Sequence, residues 1–211
     1  MGKTLWQRWT EKPEQPAEET IYNPLELRIG SSLTINALDW HDCHFFVKEI
    51  REYKRANAES FSDYVLLASP LGKPDVAARL RCFQGTDELP YQPVLLSLYD
   101  EFSWNDDFSK ILNADTKTFE CFVDDQLSET FARISGIQES CAVSVAVIRE
   151  KDGKSQKAVI EFLEYWDYSR TDQDEAGQDY ELYLFVEENQ ANHWFQIWKG
   201  HELDPERVVL M

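Results

Sequence analysis

Along most of the chain apolar and polar residues alternate with period two, the spacing of half-buried strands. Ala78-Arg79-Leu80-Arg81-Cys82 alternates cleanly, and its apolar residues read as core with both arginines facing out. Cys141, Val143, Val145 and Val147 mark one face of a second such run. Tyr180, Leu182, Leu184 and Val186 mark a third, against Glu181, Tyr183, Phe185 and Glu187. The pattern predicts strands over residues 27–36, 45–54, 63–68, 78–84 and 94–99, and again over 158–168, 180–187, 194–198 and 207–210. Phe45-Phe46-Val47-Lys48-Glu49-Ile50 breaks the alternation and predicts a bulge. Lys151-Asp152-Gly153-Lys154 carries a hairpin turn signal. Phe108, Ile111 and Leu112 have helical spacing behind a capping Asn105 or Asp106. Phe119, Cys121 and Val123 read as one more strand.

The strand pattern occurs twice. Glu52-Tyr53-Lys54-Arg55 has a counterpart in Asp167-Tyr168-Ser169-Arg170, and Asp63-Tyr64 in Asp179-Tyr180. Phe83-Gln84-Gly85 matches Trp198-Lys199-Gly200, and Val94-Leu95-Leu96 matches Val208-Val209-Leu210, at an offset of 114 to 116. Self-similarity at a fixed period predicts a duplicated supersecondary unit. The expected fold is therefore mainly β: two homologous small antiparallel units joined by a connector with one short helix. Its segments are a flexible tail over 1–24, repeat one over 25–99, an acidic connector over 100–131 and repeat two over 132–211.

Composition narrows the function classes. A net charge of −18 repels phosphate backbones and anionic lipid, which disfavours nucleic acid and membrane surfaces and suits a basic partner. No run is long and apolar enough for a transmembrane helix, so direct membrane insertion is not expected. The first residues lack the apolar core of a signal peptide, and Cys82, Cys121 and Cys141 sit in apolar alternations. Free thiols in the cytoplasm are the expectation.

Candidate sites follow from residue type and spacing. In Asp39-Trp40-His41-Asp42-Cys43-His44 the strand period splits the ligands between two faces, so a polar turn is expected and no metal. Asp172 to Gly177 starts like a calcium loop, but Ala176 and Tyr183 stand where carboxylates are needed. Arg55 and Arg170 each precede a polar loop returning to Asp63 or Asp179, and an Arg–Asp pair across each loop is the structural expectation. The functional alternative is a ligand site at the seam between the repeats, built from Arg55, Arg170, Asp100 and Glu101. Catalytic motifs are not found, so neither a catalytic set nor a cofactor is expected. Trp is enriched at interface hot spots, which points to Trp6 and Trp9 in the tail, and to a surface of Tyr183, Phe185, Trp194 and Trp198, as partner-binding residues.

The closing pattern runs from Tyr168-Ser169-Arg170 through Glu181-Leu182-Tyr183-Leu184-Phe185-Val186-Glu187 to Gly200-His201-Glu202-Leu203 and a Val-rich end. This C-terminal part resembles the YjfK-like uncharacterised bacterial proteins. The resemblance implies a bacterial, cytoplasmic protein working beside a membrane-stress scaffold, and carries over no catalytic residues. The expected function is a non-enzymatic binding or adaptor protein whose partner is another protein. The alternative is a small-ligand-binding protein or enzyme with its site at the seam.

Overall fold

A computed structural model describes residues 23–36, 44–55, 60–69, 76–84, 91–113, 118–122, 128–134, 141–151, 154–173, 177, 179–189, 191 and 194–211. Trp6, Trp9, and Asp39 through Cys43 lie outside the described residues. The strands are β1 (Ser32–Ile35), β2 (His44–Arg55), β3 (Phe61–Ser69), β4 (Val76–Gln84), β5 (Tyr91–Ser103), β6 (Thr118–Phe122), β7 (Ser128–Arg133), β8 (Cys141–Lys151), β9 (Lys154–Gln173), β10 (Asp179–Asn189), β11 (Trp194–Glu202) and β12 (Val208–Leu210). Among the described residues one α-helix, α1 (Asp106–Asn113), lies between β5 and β6.

All twelve strands belong to one antiparallel sheet. Pairing runs β2–β3–β4–β5–β11–β10–β9–β8, and β8 returns to β2. These strands close into a barrel, which leaves them no open edge. The mainly β expectation holds, as does the short helix. The arcs β2–β5 and β8–β11 zip together along β5–β11 and β2–β8, so they form one sheet and not two packed ones. Two long strands also carry branches. β2 gives residues 44–46 to β1 and 49–55 to β8, and β12 extends the β1 branch. β9 similarly serves β8 and then, at Tyr168 and Ser169, β7.

Local chemistry sets these elements. β8 and β9 pair as far as Lys151↔Lys154, and the expected turn at Asp152 and Gly153 lies outside the described residues. The expected bulge in β2 falls between Val47 and Glu49. A second bulge shifts β5 against β11 between Ile197 and Trp198. Asn105 caps α1, its Oδ1 accepting from the backbone N–H of Asp107 at 2.8 Å and Phe108 at 3.2 Å. Gly200 lies opposite Leu96 on β5, and a Cβ there would stand 1.8 Å from the carbonyl oxygen of Leu95.

The barrel has an inner core and two outer ones. Inside pack Tyr53, Phe61, Val94, Leu96, Val145, Val147, Leu163, Tyr165, Phe185 and Trp198. Outside β2–β5, the segment from Leu25 through β1 covers Phe45, Tyr64, Leu66, Leu80 and Cys82. Outside β9–β11, Phe108 and Leu112 of α1, with Phe119 and Phe131 of β6 and β7, cover Trp166, Tyr168, Leu184 and Phe195.

This arrangement overturns the expected facing of β4. Ala78, Leu80 and Cys82 point outward beneath the cover, and Arg79 and Arg81 point into the barrel, 2% and 0% exposed. Alternation gives the period of a strand and not its sense. Here the outer face is itself buried, so the apolar residues are outside and the charged ones inside.

Candidate functional site

Strand register stacks the inner faces of β2, β3, β4 and β5 into successive rows. Glu49, Val65, Arg79 and Leu96 form one row. Arg51, Asp63, Arg81 and Val94 form the next, and Tyr53, Phe61 and Phe83 the third. From the opposite wall Glu187 of β10 reaches across, flanked in register by Tyr165 and Gln196.

Arg81 meets Asp63 in a two-point contact, Nε to Oδ1 and Nη2 to Oδ2, both 2.7 Å. Its Nη2 also lies 3.1 Å from Glu187 Oε1, and its Nη1 donates to the Tyr165 hydroxyl at 2.8 Å. The guanidinium lies between the rings of Phe185 and Phe61, 4.3 and 4.5 Å from their centroids. Arg79 Nη1 contacts both Glu187 oxygens at 2.8 Å and the Tyr53 hydroxyl at 3.2 Å. Its guanidinium stacks 3.7 Å from the Trp198 ring centroid, and its Nη2 donates to Gln196 Oε1 at 2.9 Å. The Tyr53 hydroxyl donates to Glu187 Oε1 at 3.0 Å.

Asp63 and Glu187 are 0% exposed, so this cluster is wholly inside the protein. Such charges persist in a low-dielectric interior only when paired and hydrogen-bonded. Burial alone would raise the Glu187 pKa, but Arg79, Arg81 and Arg51 outweigh it and hold the carboxyl at about 2. Burial and the Glu187 charge push the Tyr53 hydroxyl well above its ordinary range, so it stays a proton donor. One branch leads out to solvent: Gln196 Nε2 donates to Glu101, an exposed residue opposite it on β5.

The residues singled out from sequence fall in different places. Arg55 ends β2 opposite Val143, which itself lies opposite Leu163 of β9. Arg170 is seven residues further along β9, about 23 Å at strand rise, so Arg55 and Arg170 do not converge. Arg170 pairs with Asp172 and Glu129 on the outer side, where Lys199 also meets Glu129. Asp100 is exposed opposite Ile197, and Glu101 joins the charged cluster through Gln196.

The expected loop-spanning Arg–Asp pairs also differ. Asp63 pairs with Arg81 and Arg79, and Asp179 accepts from Gln173 at 2.8 Å. Trp198 is 4% exposed beneath Arg79, and Phe185 is 1% exposed. Tyr183 is half-buried, with burial and Glu202 pushing its hydroxyl up to about 12. Trp194 is half-buried at the start of β11. His44 is exposed on β2 between Thr34 and Ser69. Among the described residues no group of three His, Cys, Asp or Glu side chains could hold a metal ion.

Sequence reasoning missed the central residues: Asp63 as the partner of Arg81, Arg79 and Arg81 as interior groups, and Glu187. The available signal was charge balance at inward positions of strands otherwise apolar. Comparisons of this chain with protein-family models, curated proteins and solved structures find no match.

Proposed function

We propose that this chain is a non-enzymatic cytoplasmic binding protein that holds an extended segment of another protein along β12. The carrying observation is that strand's outer edge. β12 ends the sheet, and among the described residues it pairs only with β1. The backbone of Arg207 accepts from Asn36, and that of Met211 donates to Ser32, so the N–H of Leu210 and the carbonyl of Val208 point away from β1. Val209, Leu210 and Met211 beside them are 46%, 50% and 64% exposed. Unpaired backbone groups with adjacent apolar side chains suit strand addition. The paired charges inside the barrel support the same reading, since they are engaged with one another. A net charge of −18 favours a basic partner. The free, buried thiol of Cys82 suits a reducing compartment. No helix among the described residues is long and apolar enough to cross a membrane.

The test is affinity capture from the native host with three chains: the full chain, Val209→Lys with Leu210→Pro, and Trp6→Ala with Trp9→Ala. Proline at 210 removes an outward N–H and no bond to β1. A partner held by the full chain and the tail variant, and lost by the edge variant, is the expected result. Loss only in the tail variant moves the interface to residues 1–24. Equal capture by all three overturns the edge reading.

A further inference from the structure

At one end of the barrel the inner row next above Glu49, Val65 and Arg79 is apolar. Phe46 lies opposite Leu67 there, and Leu98 lies beside Trp198. Phe46 and Leu98 are 44% and 40% exposed, although both belong to the inward-facing set of their strands. Directly beneath, Arg79 is 2% exposed, and its Nε is buried without a hydrogen-bond partner. Arg51 Nη1, one row deeper, is likewise buried without a partner.

We propose that this mouth binds an uncharged amphiphile, a molecule with an apolar chain and a carbonyl or amide head. The chain would lie on Phe46, Leu67 and Leu98, and the head oxygen would accept from the free guanidinium N–H groups. Charge selects the class. Among the described side chains around this mouth, Arg51, Arg79 and Arg81 face Glu49, Asp63 and Glu187 in equal number, and Glu101 adds a negative charge at the rim. An anion gains nothing net there. A cation meets N–H donors and no free acceptor among these groups. A neutral acceptor satisfies donors that are otherwise buried unpaired.

The test titrates the full chain with octanamide, octanoate and octylammonium, following the arginine Nε–H resonances by NMR. Saturable octanamide binding that moves the Arg79 signal is expected, with both charged analogues at least tenfold weaker. Phe46→Ser with Leu98→Ser should weaken octanamide at least tenfold at unchanged far-UV circular dichroism. Should that pair fail to fold, Leu98→Ser alone is read in its place. The proposal is overturned by absent saturation, by octanoate or octylammonium binding as tightly as octanamide, or by native affinity in the rim variant. None of these outcomes bears on β12, which lies outside the barrel.

Discussion

Neutralising Glu187 leaves Arg79 and Arg81 sharing one carboxylate, Asp63, among buried groups. Glu187→Gln is therefore expected to cost about 3–5 kcal/mol near neutral pH, the cost of stranding a buried charge, as read by urea unfolding. The same side chain sets an acid response. Its native pKa of about 2 lies below the ordinary 4.5, so its stabilisation is complete above about 4.5. As pH falls from there toward about 2 the unfolded chain takes up a proton that the native state does not, and the stabilisation is lost. The gap between native and Glu187→Gln proteins should accordingly shrink between neutral pH and about pH 3. An unchanged gap would place the source of acid sensitivity elsewhere. At this scale the sequence was least legible. Arg79 and Arg81 look like solvent-facing residues until the cover over Ala78, Leu80 and Cys82 is known.

Strand boundaries were more legible, because they depend on near neighbours. The β8–β9 hairpin, the β2 bulge, the Asn105 cap and the strand at Phe119 all come from chemistry within a few residues. β7 escaped notice because Ser128-Glu129-Thr130-Phe131-Ala132-Arg133 offers little apolar alternation, and Phe131 alone carries its packing beneath α1. Between β5 and β11 the limit is steric. Gly200→Ala would force a methyl against the Leu95 carbonyl, and relief requires moving backbone. A loss of about 1–3 kcal/mol is expected, seen as a lower thermal midpoint. A midpoint equal to the native one would mean that β5 yields at no cost.

Closure of the barrel belongs to the whole molecule and left no trace in local pattern. It depends on β2 meeting β8 and β5 meeting β11, contacts between segments far apart in sequence. Two arcs of alternating strands are equally consistent with packed sheets. Arg55 and Arg170 stand apart along the sheet for the same reason, since register and not order along the chain decides who meets. Closure predicts cooperativity. Amide protons in the barrel strands should exchange together and slowest, and those of β12 and the β6–β7 hairpin sooner, by native-state hydrogen exchange. Separate exchange classes for β2–β5 and β8–β11 would instead mark two independent units.

Arg81 also has a consequence for how the protein is made. Its cross-barrel counter-charge, Glu187, follows it by 106 residues. At a ribosome adding about 5–20 residues per second, that separation is about 5–20 s. Throughout that interval the nascent first arc holds Arg79 and Arg81 without Glu187, and must keep them in water. The barrel's inside is thus the last part to become dry, and the amino-terminal half waits for its partner strands before it can complete its fold.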